Sequence, residues 1–209
     1  AFMILFETIR SYSGSKDNMS RYFPFLFILF FITWNCAGSS YQRLAIEDPA
    51  ALVAMEDSLR NANRLLPSTV KALVTAHNSI GRSALDKNNY SSALQSFQDA
   101  LVLFPSDTTA HYNLLIAEGN LLYKKGERNG LWDAIENYHK AARLKPDSGE
   151  PFYHIGQAYL KNGNTDFDLI LESYEKALSL DLALQLRPVV LAAMEREKKR
   201  EKTLKDFWK

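Results

Sequence analysis

One side-chain pattern occurs three times in this chain, with the same internal spacing of four, three and three residues. Each copy has a small or aliphatic residue, an aromatic residue, an alanine and a leucine. The copies are Ala93, Phe97, Ala100 and Leu103; Ala134, Tyr138, Ala141 and Leu144; and Ile170, Tyr174, Ala177 and Leu180. This spacing places the four side chains on one stripe of an α-helix. A stripe that recurs along a chain predicts stacked, similar units rather than one irregular core.

Further residues around each copy extend the pattern to a helix-turn-helix unit. The first copy is preceded by Ile80, Gly81 and Ala84 and followed by Pro105; the second by His111, Leu114 and Leu115 and followed by Pro146; the third by Phe152, Ile155, Gly156 and Tyr159, with no closing proline. In this form the sequence resembles the tetratricopeptide repeat, a unit of about 34 residues. The resemblance implies an all-α fold, a right-handed α-solenoid of about three such repeats with flanking capping helices.

The pattern also divides the chain into segments. Asp48 followed by Pro49 predicts a helix start, with the helix running to about Leu66, and Pro67 to Thr69 then cap the next helix. The predicted segments are an N-terminal helix with the start of the first hairpin at 48–73, repeats at 74–107, 108–148 and 149–182, and a C-terminal capping helix with a charged tail at 183–209.

The second repeat is predicted to carry an insertion of seven residues around 124–130, because its first helix is aligned on Leu114 as the counterpart of Ile80. Either the helices of this hairpin are two turns longer, or the hairpin projects a charged loop, which is a solvated turn or a partner contact. In this alignment His77 and His111 occupy the same repeat position, so their spacing reflects the repeat rather than a metal site.

The C-terminal segment is predicted to be a helix that closes the stack. Its apolar residues Val189, Val190, Leu191 and Met194 are expected to seal the open end, as solenoids require. A charged stretch follows, and then Leu204, Phe207 and Trp208. These three residues form an apolar end that is free to contact the body, a partner or a membrane surface.

Near the N-terminus an uncharged apolar run covers residues 22–32 and is followed by Cys36, the one cysteine of the chain. The run is shorter than the roughly 20 residues that span a bilayer and has the length of a signal-peptide core. The segment resembles a bacterial lipoprotein signal, which implies lipidation of Cys36. An uncleaved signal anchor extending through Trp34 and Ala37 is the main alternative. A buried helix is disfavoured because the run is apolar on every face.

The segments at this end follow from the same comparison. Residues 1–18 are interpreted as an upstream extension of the reading frame, because Met19 lies where a signal peptide should begin. Residues 19–35 are predicted to be the signal peptide, and residues 36–47 the lipidated cysteine and its tether.

The composition and motifs give no indication of catalysis. The formal net charge is +1, which offers no case for nucleic-acid binding. Nucleotide-binding glycine motifs, a serine nucleophile motif and metal-ligand clusters are absent from the sequence. We therefore expect no enzyme activity, no cofactor, no metal and no small-molecule substrate.

The resemblance does imply a binding surface. In tetratricopeptide domains the first helices of the repeats line a concave groove that holds a peptide or helix of a partner protein. The corresponding positions in this chain are Thr75, Asn78, Arg82, Tyr112, Asn113, Ile116, Asn120, Tyr153, Gln157 and Lys161. Chaperone-tail binding is not expected, since Asn78 and Arg82 replace the lysine and asparagine of that clamp.

Together these observations predict a non-enzymatic adaptor that is lipid-anchored, faces the periplasm of a bacterial envelope, on its outer membrane, and binds envelope proteins. Two alternatives stay open: a repeat protein held in the inner membrane by a signal anchor, and an accessory subunit of an envelope assembly or cell-wall enzyme complex.

Overall fold

Helices joined by short turns make up the described part of this chain, which in the computed structural model covers residues 40–163 and 166–208. In chain order they are α1 (residues 40–47), α2 (Pro49–Ala54), α3 (Glu56–Asn61), α4 (Pro67–Asp86), α5 (Tyr90–Leu103), α6 (Thr108–Lys125), α7 (Arg128–Leu144), α8 (Glu150–Lys161), α9 (Phe167–Ser179) and α10 (Leu186–Phe207). The helices α4/α5, α6/α7 and α8/α9 pack as three successive hairpins, α2 packs on α4, and α10 packs on α9. The predicted all-α solenoid is confirmed.

The recurring stripe forms the core of each hairpin. Its aromatic residues Phe97, Tyr138 and Tyr174 are at most 1% exposed, and the two small or aliphatic residues of each copy are fully buried. Burying each aromatic ring stabilises the fold by about 1.5–3 kcal/mol. The leucines that end the stripe are less enclosed, and Leu144 is 37% exposed. Three of the four stripe positions therefore pack the scaffold.

One glycine in each of the three hairpins allows its two helices to approach closely. A Cβ atom added to Gly81, Gly119 or Gly156 would lie 2.3, 2.4 or 2.6 Å from a ring carbon of the aromatic residue in the same hairpin. Such distances are far below van der Waals contact, so no larger residue fits without movement. The glycines mark equivalent positions on α4, α6 and α8 and thereby define the register of the repeats.

This register corrects the predicted alignment of the second repeat. Gly81 and Gly119 are 38 residues apart, whereas pairing Ile80 with Leu114 requires 34. The prediction is wrong by four residues because α6 begins 11 residues before its glycine, while α8 begins six residues before Gly156. The start of a helix is set by its capping residue, and that residue lies at a different distance from the packing positions in each repeat.

The second hairpin is built of long helices and has no projecting loop. Helix α6 continues to Lys125 and ends at Gly126, whose φ of 73° is in the left-handed region that favours glycine. Helix α7 begins at Arg128, so two residues connect the helices. Counted from Gly119 to Ala134, this hairpin has three residues more than the first, not seven. Of the two predicted forms of the insertion, the projecting loop is wrong; the extra residues lie in the helices, but they number three and do not make up the predicted two turns.

The N-terminal segment differs from its prediction in two respects. Residues 40–47, predicted to be part of a tether, are helical, and the fully buried Ala45 packs with Leu52 and Ala72. The helix predicted from Asp48 to Leu66 is interrupted at Met55 and ends at Asn61. The predicted start is confirmed, since Asp48 Oδ1 accepts a hydrogen bond from the Ala51 amide at 3.0 Å. These helices cover the first face of the stack.

The start of α4 is also corrected. Pro67 is the first residue of this helix and Leu66 precedes it without a side-chain cap. The prediction that Pro67 to Thr69 cap this helix is therefore wrong. Thr69 is instead a buried residue within the helix. The helix begins seven residues before 74, the predicted start of the first repeat.

Helix α10 closes the other face. Val190 and Met194, at 0% and 9% exposure, pack in one cluster with Ile170, Tyr174 and Ala177, as predicted. Val189 and Leu191 are each 47% exposed, which corrects their assignment to the seal. Residues adjacent in a helix point in different directions, so one stripe of α10 cannot bury four residues that include three in a row.

The predictions for residues 1–39, including the signal peptide and Cys36, lie outside the described residues. Among the helices of the described part, none is long and apolar enough to cross a membrane.

Candidate protein-binding groove

A cavity of about 750 Å³ lies between the last hairpin and α10. Its lining combines the end of α6, one face of α8, an aromatic ring of α9 and the first half of α10. The lining residues are Tyr123, Tyr153, Gln157, Leu160, Lys161, Tyr174, Pro188, Val189, Ala192, Ala193 and Arg196. We call this space the α8/α10 cavity. Its size and its mixture of aromatic, aliphatic and polar side chains fit a peptide segment or one face of a helix.

The polar groups of the α8/α10 cavity are held in place by local contacts. Gln157 Nε2 donates a hydrogen bond to Tyr153 Oη at 2.7 Å. Lys161 Nζ donates to the Tyr123 carbonyl and lies 4.3 Å from the centre of the Tyr123 ring. Burial raises the pKa of Tyr153, and it raises the pKa of Tyr174 to about 12. The tyrosine hydroxyls are therefore neutral near pH 7.

The charged side chains that line the α8/α10 cavity are both cationic. Lys161 is exposed, and Arg196 is 67% exposed with its Nε 3.4 Å from Glu197 Oε1. Glu197 itself is 2% exposed and also lies 3.0 Å from Arg200 Nε, so its charge belongs to the packing of α10. The rim of the cavity favours an occupant with acidic or carbonyl groups near an apolar side chain.

A second cavity of about 650 Å³ lies where α4, α6 and α8 meet the loops after α7 and α9. It is lined by Arg82, Thr109, Tyr112, Asn113, Leu144, Lys145, Pro146, Asp147, Ser148, Glu150 and Asp181. Its central charges neutralise one another, because Arg82 Nη1 lies 3.0 Å from Glu150 Oε1. We call it the Arg82 cavity.

Glu150 accepts hydrogen bonds from two helices. Tyr112 Oη donates to Glu150 Oε2 at 2.8 Å and lies 2.9 Å from Ser148 Oγ, which must donate to it because the single phenolic hydrogen is already used. Burial opposes ionisation of Glu150, but Arg82, His154 and the bond from Tyr112 outweigh it, and the pKa of this carboxyl lies below its usual range. These groups stabilise the fold and leave little capacity for a ligand.

A chain of amides connects the first two repeats. Asn113 Nδ2 donates to Asn78 Oδ1 at 3.1 Å, and Asn78 Nδ2 donates to Asp107 Oδ1 at 3.2 Å. Asn78 and Asn113 are 9% and 4% exposed. Asp107 also caps α6 by accepting from the Ala110 amide. The two asparagines therefore join the repeats and are not presented to solvent as ligand contacts.

The predicted groove residues separate into distinct groups. Tyr153, Gln157 and Lys161 line the α8/α10 cavity, whereas Arg82, Tyr112 and Asn113 line the Arg82 cavity. The other four predicted residues line neither cavity: Thr75, Asn78, Ile116 and Asn120.

Three of those four have a packing or local role. Ile116 is fully buried in the core, so its assignment to a groove surface is wrong. Asn120 Oδ1 accepts a hydrogen bond from Tyr138 Oη at 2.9 Å. Thr75 is exposed, and its hydroxyl donates to the Lys71 carbonyl of its own helix.

Sequence reasoning missed Tyr123, Leu160, Tyr174 and the α10 residues of the α8/α10 cavity. Tyr123 follows Gly119 by four residues, as Leu160 follows Gly156, so the two share one repeat position, and that position was not assigned to the groove. The contribution of α10 was missed because the whole helix was assigned to capping. Val189, Val190 and Leu191 are all apolar, so no signal in the sequence separated the buried Val190 from the exposed Val189 and Leu191.

Three of the four histidines are accounted for by packing and local hydrogen bonds. His77 Nε2 lies 2.9 Å from Glu56 Oε2, and His111 Nε2 lies 2.8 Å from the Pro105 carbonyl oxygen. In the corrected register His77 and His111 are not equivalent positions. His154 stacks on Tyr138 with ring centres 5.1 Å apart. Over residues 40–163 and 166–208 no group of three His, Cys, Asp or Glu side chains is placed to hold a metal ion.

A family model described as TPR repeat matches residues 119–163. The match supports the tetratricopeptide repeat family. The matched segment covers the end of α6 from Gly119 and all of α7 and α8. It includes four lining residues of the α8/α10 cavity: Tyr123, Tyr153, Gln157 and Lys161. TPR repeats indicate a protein–protein interaction scaffold and are typically not catalytic. No curated protein matches the sequence.

Proposed function

We propose that this TPR protein is a non-enzymatic adaptor that holds a peptide or helix of a partner protein in the α8/α10 cavity. The observation that carries this proposal is the cavity itself. Aromatic and aliphatic side chains form its walls, and Lys161 and Arg196 lie at its rim. The Arg82 cavity is the weaker candidate because its central charges are already paired.

A photo-crosslinking experiment tests the location of the partner. A benzophenone amino acid is placed at Gln157, which lines the α8/α10 cavity, and in a matched variant at Gln98, which is exposed on α5. We expect the Gln157 variant to capture a specific partner in cells and the Gln98 variant to capture none. Capture from Gln98 but not from Gln157 would reject the cavity as the binding site.

We further propose that the adaptor is attached to a bacterial envelope membrane through a lipid on Cys36 and faces the periplasm, on the outer membrane. The support is the apolar run at 22–32 followed by the single cysteine. Metabolic labelling with palmitate tests this, with Cys36→Ser as the control. Label in the parent protein and none in the variant is the expected result, and an unlabelled parent protein contradicts lipidation.

A signal anchor in the inner membrane is the second candidate for the same segment, since the run extends through Trp34 and Ala37. Membrane fractionation of the Cys36→Ser variant distinguishes the two. A signal-anchored protein stays in the inner membrane without the cysteine. The further alternative is that the protein is an accessory subunit of an envelope assembly or cell-wall enzyme complex. The identity of the crosslinked partner tests this alternative.

A further inference from the structure

The last two turns of α10 carry an apolar face that no other part of the described chain covers. Every described residue from Lys202 to Trp208 is exposed. Leu204, Phe207 and Trp208 are 40%, 76% and 81% exposed, and the two aromatic rings meet edge to face with centres 5.4 Å apart. Their spacing of three and four residues places them on one side of the helix. We call this end of the helix, with its apolar face and the lysines beside it, the α10 tip.

The rest of this helix end has an excess of cations, with seven Lys or Arg and four Asp or Glu residues in the sequence from 195 to 209. Lys198, Lys199 and Lys202 are exposed and take part in none of the ion pairs among the described residues. At about 100° per residue Lys199 and Lys202 point away from the side that carries Leu204 and Trp208, and Lys198 lies between the two sides. The exposed Glu195 and Asp206 are on the side of Lys199 and Lys202, so the excess of cations there is partial. By contrast, Lys205 is paired with Glu201. The α10 tip therefore combines an aromatic face with three cations that are available to an external anion.

We propose that the α10 tip binds a membrane surface with anionic headgroups. Aromatic side chains with an apolar body and lysines with long stems are the residues that amphipathic helices place at the membrane–water interface. The cations of the tip complement the negative surface potential of anionic lipids. Helix α10 is among the helices that are too short or too polar to cross the bilayer, so it would lie on the surface.

A protein partner fits these residues less well. Such a partner would need to cover an aromatic pair at the end of a protruding helix and also offer acidic groups to lysines on the opposite side. A membrane surface meets both requirements, because the aromatic side chains enter the interface while the flexible lysine stems bend toward the headgroups. The residues of this surface include neither Cys36 nor a lining residue of the α8/α10 cavity, so the proposal does not depend on either.

The test follows Trp208 itself, because the N-terminal apolar run can bring the full chain to any bilayer. In the full chain, Trp34→Phe and Trp132→Phe leave Trp208 as the single tryptophan. This protein is reconstituted with phosphatidylcholine vesicles, with or without phosphatidylglycerol, and with brominated lipid as a quencher. We expect blue-shifted Trp208 emission, quenching by the brominated lipid and protection from acrylamide on the anionic vesicles only.

A charge variant and a matched control complete the test. Changing Lys198, Lys199 and Lys202 to Gln should weaken this surface contact on the order of 100-fold. The same change at Lys71, Lys87 and Lys125, which are exposed elsewhere, should leave it intact. Equal losses in both variants would overturn the proposal. So would equal acrylamide access on neutral and anionic vesicles, or concentration-dependent protection without vesicles, which would assign the tip to a second copy of the chain.

Discussion

Arg82 on α4 and Glu150 on α8 form an ion pair across the first and third repeats, with Nη1 3.0 Å from Oε1, although 68 residues separate them. In a simple solenoid each repeat contacts only its neighbours, and stability is a sum of nearest-neighbour terms. This pair adds a contact between repeats that are not adjacent. The third repeat is therefore attached to both of the others, which favours unfolding of the stack as one unit.

Neutralising this pair should lower stability and reduce its dependence on pH. Because Glu150→Gln leaves Arg82 without its anion, we expect a loss of about 1–3 kcal/mol in the free energy of unfolding. The folded pKa of Glu150 is below its usual range. Its contribution is therefore present above the unfolded pKa of about 4.3 and is lost as the pH falls through the folded pKa.

Urea unfolding of the parent protein and of Glu150→Gln at neutral and acidic pH measures both effects. The difference between the two proteins should shrink toward low pH. Glu136→Gln is the control, because Glu136 is an exposed carboxylate paired with Lys140. The urea midpoint of this variant at neutral pH should equal that of the parent protein. A constant difference across the pH range would contradict the assignment to the Glu150 carboxylate.

A second prediction concerns the register of the repeats. Gly119→Ala would place a Cβ 2.4 Å from Tyr138 Cε1, so we expect a loss of about 1–3 kcal/mol from overpacking. Gly130→Ala is the matched control, since its Cβ would meet its nearest atoms at 3.7 and 3.8 Å. That change should be neutral or stabilise α7 by up to about 1 kcal/mol. Thermal unfolding measures both, and a stable Gly119→Ala variant would refute the corrected register.

Gly149 makes a backbone contact between two loops. Its amide donates to the Asp181 carbonyl at 2.7 Å, and the Asp181 amide donates to the Asp147 carbonyl at 2.8 Å. In Gly149→Ala the new Cβ would lie 2.3 Å from the Ala177 carbonyl oxygen, a backbone atom that cannot rotate away. We expect faster hydrogen exchange at the Asp181 amide. Ser148→Ala leaves this contact in place and should keep the exchange slow; equal rates in the two variants would argue against the clash.

The α8/α10 cavity gives a prediction about binding without a change in stability. Val189 and Leu191 lie on α10 with the same exposure of 47%, but only Val189 lines the cavity. Val189→Ser should lower the affinity for the crosslinked partner roughly tenfold, because it removes apolar contact. Leu191→Ser should leave that affinity unchanged. Titration of the purified partner measures the two affinities. Equal weakening by both changes would point to a site on the outer side of α10.

The fold was predictable from sequence because its signals are local and repeated. The stripe of Ala93, Phe97 and Ala100 recurs with unchanged spacing inside a single helix, and helix geometry alone converts that spacing into one buried face. The hairpin architecture follows from repetition of the stripe. The register of the second repeat was not predictable from a fixed repeat length, because the position of Asp107 as a helix cap is independent of the position of Gly119.

The candidate site was predictable only in part because a surface is defined by what packs beside it. Tyr153, Gln157 and Lys161 were identified from repeat positions and lie in the cavity. Arg82 follows Gly81 as Gln157 follows Gly156, but Glu150 of the third repeat engages both Arg82 and Tyr112. Contacts between residues far apart in sequence decide which polar side chains stay available, and no local pattern records them.

Helix α10 runs without interruption from the residues that line the α8/α10 cavity to Leu204 and Trp208. Ala192 and Leu204 are 12 positions apart in the helix, which at about 1.5 Å per residue is about 18 Å. A rigid rod of this kind is a spacer with a fixed length. A partner held in the cavity would stand at a set height above whatever surface the tip contacts, and lengthening the rod by whole turns would raise it in steps of about 5.4 Å.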